Sequence, residues 1–227
     1  IHKKTGMSRI KIFKDMKDCG IKYGAGYMDY DLFEMYNLTD EQRDTYLTRG
    51  RNNDLVKKYC DMAYSESFTN KAAFNTRFAD YIKREWILIK EDNKEQVLDF
   101  IRRHDTLIAK PLDGCCGRGV EKLKMADYGS AEGLYDHIQS LGVQYELEEV
   151  LVQHEILNGL YPHAINTLRV VTINHKGTPH LICTYFRIGN GGKHVDNFNN
   201  GGMVAPVNEE TGVVRESAID KKKNLYE

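Results

Sequence analysis

A glycine-rich segment in the middle of the chain has the composition of a phosphate-binding loop. The apolar run 107–109 ends in Lys110, and Gly114, Gly117 and Gly119 follow. Glycine lets the backbone approach a ligand closely and direct successive N–H groups at it, and the lysine adds a point charge that suits phosphate. The segment therefore predicts a clamp for the phosphates of a nucleotide. Taken alone, a plain turn between two strands explains it equally well.

Two arginines lie in segments that alternate between polar and apolar residues, as strands do. Arg169 lies in the segment 167–174, and Arg187 lies near the end of the segment 180–188. If these segments pair as a hairpin around the turn 176–179, the two guanidinium groups project near one another. Paired guanidinium groups need an anion between them, such as a phosphate or a carboxylate. An ordinary surface ion pair is the alternative for each arginine.

The segment 195–202 is rich in side chains that offer oxygen ligands. It contains three asparagines, one aspartate and two glycines within eight residues. Carboxylate and amide oxygens are hard ligands of the kind that Mg²⁺ prefers. The composition predicts a tight loop that can bind a ligand, although an Asx-rich turn that serves only the backbone has the same composition.

The elements that must position these groups change in character along the chain. The first third has helical spacing of its apolar residues, with Thr39 as a candidate cap, and Thr69 or Asn70 opens a further helix that carries Lys71. Strands and amphipathic helices then alternate, and the last third consists mostly of strands. The predicted strands are 85–89, 106–110, 119–125, 150–153, 167–174, 180–188, 202–207 and 213–216, and the later predicted helices are 92–104 and 131–141. This order predicts an α+β fold rather than a doubly wound parallel sheet.

Bulk composition excludes several classes of protein. The net charge is −1 and the pI is about 6.8, so no global field favours nucleic acid or an anionic membrane. No apolar run approaches the roughly 20 residues that a membrane helix needs. The five cysteines include no CxxC pair, which argues against a zinc site and favours the reducing cytoplasm. The glycine segment precedes a strand and lacks a Gly-Lys-Ser/Thr ending, so it matches neither the Rossmann fingerprint nor the P-loop.

As an ordered set, these motifs resemble those of the ATP-grasp superfamily, and most closely its sugar-transfer-associated branch, which is found with bacterial surface-polysaccharide genes. The resemblance spans roughly residues 30–220. The motifs that carry it are Asn70-Lys71, Ile108-Ala-Lys-Pro-Leu-Asp-Gly114, Val150-Leu-Val-Gln-His154, Asn166-Thr-Leu-Arg169, Tyr185-Phe-Arg187 and Asp196-Asn-Phe-Asn-Asn-Gly-Gly202. Ribosomal-protein glutamate ligases show a similar order of an arginine strand, a second arginine and an Asn-x-x-x-Gly-Gly loop.

The resemblance implies a nucleotide held between two α+β lobes. It divides the chain into a helical N-terminal segment, 1–68, an N-terminal lobe, 69–149, and a β-rich C-terminal lobe, 150–227. Family members carry a late acidic strand and a Glu-x-Asn pair that hold Mg²⁺, and the sequence has neither motif. We therefore expect one of three explanations: the C-terminal lobe is truncated at residue 227, Mg²⁺ binding is rebuilt from Asp196, Asn197 and Asn199, or the protein does not catalyse.

The resemblance also implies a role for each motif. Lys71 and Lys110 would reach the ATP phosphates, the glycine segment would fold over them, and the segment 152–154 would meet the adenine. The implied nucleotide-binding residues are Lys71, Lys110, Asp113, Gly114, Gly117, Arg118, Gly119, Val152, Gln153 and His154. Arg169 and Arg187 would stabilise the transferring phosphoryl group and an acyl phosphate, and Asn197 would line the acceptor side.

The activity implied is that of an ATP-dependent carboxylate–amine ligase, which acts in the cytoplasm on ATP, a small-molecule or sugar-linked carboxylate and an amine. A phosphotransferase that acts on a hydroxyl or a nitrogen is the alternative, and a nucleotide-binding protein without turnover is a third reading, favoured by the missing metal motif. The acidic and aromatic helices of 27–64 either shape an acceptor pocket or dock a partner, and the sequence does not choose between these roles.

Overall fold

The chain divides into two units, Ile1–Met62 and Ala63–Glu227. A computed structural model describes residues 1–112, 114 and 117–227. The boundary predicted after residue 68 lies within the second unit and remains a prediction. Both of the lobes expected from the resemblance lie within that second unit. Asp113 was assigned to the nucleotide site from the sequence, and it lies outside the described residues together with Cys115 and Cys116.

Short helices make up the first unit. They are α1 (His2–Thr5), α2 (Arg9–Tyr23), α3 (Tyr27–Leu32), α4 (Asp40–Asp44) and α5 (Arg49–Tyr59), with a 3₁₀ turn at Met35–Asn37. Thr39 caps α4 by accepting a hydrogen bond from the backbone N–H of Gln42, as the sequence predicted. The buried core of this unit contains Cys19, Tyr23 and Tyr30. Caps and one small core therefore hold several short helices together.

The helices of the second unit are short as well. They are α6 (Glu66–Thr69), α7 (Lys71–Arg77), α8 (Lys94–Arg103), α9 (Ala131–Ser140) and α10 (Glu155–Leu160), and 3₁₀ turns lie at Met62–Tyr64, Met125–Tyr128 and Phe198–Asn200. Asn70 caps α7 by accepting a hydrogen bond from the N–H of Ala73 at 3.0 Å. That cap fixes Lys71 as the first residue of the helix. No helix in the described part of the chain is long and apolar enough to cross a membrane.

The first sheet of this unit has four antiparallel strands. They are β1 (Trp86–Leu88), β2 (Thr106–Pro111), β3 (Glu121–Lys124) and β4 (Tyr145–Glu149), in the order β1-β4-β2-β3. Leu107, Ala109 and Leu147 are fully buried in a core that they share with residues of α8 and α9. Because side chains alternate along a strand, Lys110 and Glu146 lie on the opposite face. One face of the sheet therefore supplies the core and the other carries charge.

The second sheet has five antiparallel strands joined in chain order. They are β5 (Thr167–His175), β6 (Thr178–Ile188), β7 (Met203–Val207), β8 (Ala218–Asp220) and β9 (Leu225–Tyr226). Lys176 and Gly177 connect β5 to β6 with φ angles of 52° and 84°. Two successive positive φ angles match the right-handed twist of a hairpin. The predicted hairpin and the predicted α+β class are both confirmed.

Two predicted strands are wrong. The segment 150–153 has no strand, because the strand lies earlier, at Tyr145–Glu149, and Val152 is 96% exposed. Valine favours a strand by propensity, but a strand needs a neighbour to pair with, and this segment has left the sheet. The segment 213–216 makes only an isolated bridge between Val214 and Val207. The chain instead returns to the sheet at β8.

Candidate active site

Strand alternation places charged side chains together on the open face of the first sheet. Lys110 on β2 is paired in register with Glu146 on β4, and Glu148 lies two residues further along the same face. The ammonium of Lys110 forms an ion pair with Glu148. Arg84 reaches the same carboxylate, with Nη2 2.7 Å from Oε1 and Nε 2.7 Å from Oε2. Glu148 is thus held by two cations although it is only 3% exposed.

The two glutamates of β4 respond in opposite directions to this setting. Burial raises the pKa of Glu146, and the neighbouring charge of Glu148 raises it further. Burial also acts on Glu148, but the hydrogen bond from Arg84 and the charge of Lys110 outweigh it and hold the pKa of Glu148 below its usual value. Asn75 donates from Nδ2 to Glu146 at 3.3 Å. Glu148 is therefore the charged partner of the cations, and Glu146 retains its proton to a higher pH than an ordinary glutamate does.

Lys71 contacts the backbone at the point where β2 runs into the glycine segment. Its Nζ donates to the carbonyl oxygens of Pro111, Leu112 and Gly114 at 2.6, 3.1 and 2.6 Å. An ammonium group carries three N–H donors, so these three bonds hold the base of the segment. The sequence assigned Lys71 to the ATP phosphates, and that role remains a prediction.

The described part of the glycine segment approaches the asparagine-rich loop closely. Gly117 and Gly119 have φ angles of 76° and 67°, which favour glycine. A Cβ atom on Gly117 would lie 2.6 Å from Oδ1 of Asn197. A side chain at position 117 would therefore separate the two loops. Arg118, between the two glycines, is exposed.

A cavity of about 420 Å³, here called the central cavity, lies between these groups. Its lining brings together most of the residues predicted at the phosphates with residues of the second sheet and its loops. The lining includes Lys71, Arg84, Ile108, Lys110, Gly114, Gly117, Glu148, Leu151, Ile165, Thr167, His194, Asp196 and Asn197. Lysine and arginine cations beside glycine backbone form an arrangement suited to an anion such as a polyphosphate.

A second cavity of about 590 Å³, here called the outer cavity, adjoins the central cavity. The two share Ile108, Leu151, Ile165 and His194 in their linings. The outer cavity is also lined by Val152 and other residues of the segment 150–153, which lies outside both sheets. The apolar side chains can contact the faces of a flat aromatic base, and backbone groups that do not pair within a sheet can bind its polar edge.

Gln153 and His154, both predicted at the adenine, use their side chains for other contacts. Nε2 of Gln153 donates to the carbonyls of Tyr161 and Ala164 at 2.8 and 3.0 Å, and its Oε1 accepts from the backbone and the side chain of Asn166, both at 3.1 Å. The ring of His154 accepts from the N–H at position 156 and caps α10. Gln153 can meet a ligand through its backbone, while its side chain braces the loop that leads to β5.

The second sheet carries both predicted arginines on one face. Thr167 lies opposite Arg187, and Arg169 lies opposite Tyr185. Because directly opposed residues share a face, all four side chains project together, as the hairpin prediction required. Arg169, Tyr185 and Arg187 help to line a third cavity of about 420 Å³, here called the arginine cavity, whereas Thr167 lines the central cavity. The lining of the arginine cavity is Arg169, Tyr185, Arg187, Asn197, Phe198, Asn199 and Val204.

The two arginines differ in their partners. Nη2 of Arg187 lies 2.6 Å from Oδ1 of Asp196, and the hydroxyl of Thr167 donates to the same carboxylate. Arg169 is exposed, and no carboxylate among the described residues lies within 4.0 Å of its guanidinium nitrogens. The arginine cavity therefore contains one neutralised cation and one cation that an incoming anion can meet.

Sequence reasoning missed several residues of these cavities. Those in the linings are Arg84, Glu148, Thr167 and His194. Behind the linings, Asn75 contacts Glu146, and Asn166 contacts Gln153. A signal was present in Glu146-Leu-Glu148, because two carboxylates that alternate with an apolar residue indicate a strand with a charged face. The distant partners Arg84 and Lys110 carry no such local signal.

The chain belongs to the ATP-grasp proteins. Residues 50–227, well over half of the chain, match the family model described as sugar-transfer associated ATP-grasp. No curated protein and no solved structure shows significant similarity to the chain. ATP-grasp proteins are generally enzymes, ligases or kinases, that bind ATP together with a divalent metal. The resemblance inferred from the ordered motifs is confirmed.

The cavities fit ATP better than the predicted residues fit magnesium. The central cavity offers cations and glycine backbone for phosphates, and the outer cavity offers apolar walls for a base. By contrast, Asp196 already engages Arg187 and Thr167, and Asn199 lines the arginine cavity rather than the central one. No group of three or more His, Cys, Asp and Glu side chains within the described ranges could hold a metal ion. The predicted pair thus offers one carboxylate, which Thr167 and Arg187 already contact, and its role in binding magnesium remains a prediction.

Proposed function

We propose that this ATP-grasp chain joins a carboxylate to an amine at the expense of ATP, through an acyl-phosphate intermediate. The observation that carries the proposal is the junction at Asn197, which lines both the central cavity and the arginine cavity. A nucleotide in the first cavity and a carboxylate on Arg169 in the second would then meet at this residue. Two anions held side by side by separate cations are what phosphoryl transfer to a carboxylate requires.

Different residues bind the adenine and the phosphates of ATP. The outer cavity takes the adenine against Ile108 and Leu151, with backbone of the segment 150–153 at its edge. Lys110 and the glycine backbone take the phosphates, and Arg118 adds an exposed cation beside them. Lys71 holds the base of the glycine segment through its three carbonyl contacts.

The chemistry follows in two steps. A carboxylate oxygen attacks the γ-phosphorus of ATP, the bond to the β–γ bridging oxygen breaks, and ADP leaves. The amine then attacks the acyl carbon, the acyl–phosphate bond breaks, inorganic phosphate leaves and the amine proton passes to solvent. Arg169 and Arg187 offset the charge on the phosphoryl oxygens in both steps, and Asn197 offers amide hydrogen bonds at the junction.

The setting of the reaction is part of the proposal. The association of the family with sugar transfer supports a small-molecule or sugar-linked carboxylate, as in surface-polysaccharide biosynthesis. ATP as the energy source supports a cytoplasmic location, with Mg²⁺ as the ion that accompanies it. The near-neutral net charge supports neither nucleic acid nor a membrane surface as a partner.

Hydroxylamine trapping tests the proposal without knowledge of the natural amine. The protein is incubated with Mg²⁺, ATP and a panel of uronic acids and amino acids in the presence of hydroxylamine. We expect one carboxylate class to give a hydroxamate and ADP in equal amounts, because hydroxylamine intercepts an acyl phosphate. The Lys110→Met variant is the matched control and should give neither product.

Two other outcomes would contradict the ligase. Formation of ADP with a phosphorylated hydroxyl or nitrogen, and no hydroxamate from any carboxylate, would identify a phosphotransferase. Absence of both ATP binding and turnover would indicate that the fold is used for another purpose.

A further inference from the structure

Asp196 lines the central cavity, contacts Arg187 of the arginine cavity, and is only 8% exposed. One of its carboxylate oxygens accepts from Arg187 at 2.6 Å, and the other accepts from the hydroxyl of Thr167. Thr167 and Arg187 face each other across the β5–β6 pair. The aspartate thus bridges two strands of the second sheet from a loop outside it.

The loop that carries Asp196 is held firmly by its own backbone. The N–H groups of Asn200 and Gly202 both donate to the carbonyl of Asn197, at 2.8 and 3.0 Å. A Cβ atom on Gly202 would lie 2.3 Å from the carbonyl oxygen of Asp196, so the chain can close this tightly only with glycine at that position. A loop fixed in this way can hold a carboxylate at a defined place.

The charges of the arginine cavity are distributed unevenly as a result. Arg187, whose side chain is 15% exposed, has its charge matched by Asp196. Arg169 projects from the same sheet face and has no such partner among the described residues. An incoming carboxylate can therefore pair with Arg169, whereas Arg187 is already paired with Asp196 and held in one orientation.

We propose that Asp196 is a positioning residue that fixes and neutralises Arg187, so that Arg169 alone receives the charge of the carboxylate substrate. This assignment replaces the metal-binding role expected from the sequence. The part that concerns the substrate rests on the proposed ligase function. The part that concerns Arg187 stands on geometry and is tested separately.

Chemical modification of arginine tests the geometric part without any turnover. The wild-type protein and Asp196→Asn are treated with phenylglyoxal, and adducts on single arginines are followed by mass spectrometry. We expect Arg187 to be protected in the wild type and to react about tenfold faster in Asp196→Asn, because the ion pair that shields it is lost. Arg169, on the same sheet face, and Arg102, in a surface ion pair on α8, are internal controls whose rates should stay unchanged.

Two results would overturn this part. One is an Arg187 that reacts as fast as Arg169 in the wild type, and the other is an Arg187 that stays equally protected in Asp196→Asn. If Asp196→Asn fails to fold, nitrogen NMR of the wild-type guanidinium groups decides. Restricted rotation of the Arg187 group and free rotation of the Arg169 group support the proposal, and free rotation of both overturns it.

A manganese titration separates the positioning role from the metal role. Mn²⁺ binding is followed by electron paramagnetic resonance in the presence of a non-hydrolysable ATP analogue. We expect the affinity of Asp196→Asn for Mn²⁺ to match that of the wild type. A loss of about tenfold or more would identify Asp196 as a metal ligand and overturn the proposal.

Hydroxamate kinetics test the catalytic part. We expect Asp196→Asn to lower kcat about 100-fold or more while the KM for ATP stays near that of the wild type, because Arg187 acts on the transferring group and not on the adenine. A kcat equal to that of the wild type would overturn the positioning role in catalysis. If the wild type forms no hydroxamate, the proposed ligase function fails, and the modification data still decide how Arg187 is held.

Discussion

The charged faces of the two sheets in the second unit use buried carboxylates in different ways. On the first sheet, Glu148 is shared by Lys110 and Arg84, and Glu146 lies beside it with a raised pKa. On the second sheet, Asp196 forms an ion pair with Arg187, and Arg169 has no carboxylate partner among the described residues. The first face therefore orients its cations with a shared carboxylate. The second keeps one cation oriented and one available.

This difference separates cations that a carboxylate orients before a ligand binds from a cation whose charge is unmatched. A cation whose charge is matched inside the protein is held in one orientation before any ligand binds. A cation without a partner contributes little to folding and can contribute fully to binding. Substitutions that compare matched and unmatched cations therefore test this difference.

The largest effect is expected at Glu148. In Glu148→Ala, two cations lose their buried partner, and we expect the free energy of unfolding to fall by about 3–5 kcal/mol. Denaturant unfolding monitored by circular dichroism measures this change. Glu149→Gln, one residue further along β4, is the control, because no cation among the described residues lies within 4.0 Å of its carboxylate. This variant should change stability by less than about 0.5 kcal/mol. Similar small effects from both variants would contradict the shared-carboxylate arrangement.

A smaller effect should separate the two arginines of the second sheet. Arg187→Ala leaves Asp196 buried without its cation, so we expect a loss of about 3 kcal/mol in unfolding free energy. Arg169→Ala removes an exposed cation and should lose less than about 0.5 kcal/mol. Both variants should lose hydroxamate formation. Equal stability of the two variants would mean that the pairing with Asp196 adds nothing to the fold.

Lys71 and Lys110 should differ in how they affect the glycine segment. Lys71→Met removes three hydrogen bonds to backbone carbonyls, and we expect a loss of about 1–3 kcal/mol. The amide protons of Leu112 and Gly114 should then exchange faster with solvent in hydrogen-exchange measurements without nucleotide. Lys110→Met should leave the exchange of these two amides unchanged. Identical exchange in both variants would show that Lys71 does not hold the segment.

The last prediction concerns the free energy of unfolding, which should depend on pH because of Glu146. Its pKa is raised in the folded protein, so its contribution to stability is complete below the ordinary glutamate pKa of 4.5 and is lost as the pH rises through the folded value. Glu146→Gln removes this loss. We therefore expect the stability of Glu146→Gln relative to the wild type to improve steadily between pH 5 and pH 8. Denaturant unfolding at both pH values measures it, and a constant difference would contradict a raised pKa.

Local patterns in the sequence predicted the parts of the fold that depend on neighbours in the chain. The alternation in 106–110 predicted β2, and the amphipathic pattern of 92–104 predicted α8, which spans Lys94–Arg103. The hairpin from Arg169 to Arg187 followed in the same way, because its turn and both of its strands are local.

The parts that depend on distant partners could not be predicted. Nothing next to Glu146 and Glu148 in the sequence identifies their partners, and only the register of β4 against β2 shows that they face Lys110. The sequence around Asp196 has the composition of a metal-binding loop, and only the structure shows that Asp196 pairs with Arg187. A side chain's role depends on its partner's charge, and the sequence does not give the distance between them.

Transfer of oxygen from the substrate to phosphate tests the central claim most directly. The carboxylate found by hydroxylamine trapping is labelled with ¹⁸O in both oxygens and incubated with ATP and an amine. An acyl phosphate predicts that one labelled oxygen appears in the inorganic phosphate released in each turnover, because that oxygen forms the bond to phosphorus. Phosphate without label, formed while ATP is consumed, would contradict the ligase mechanism and the roles assigned to the two arginines.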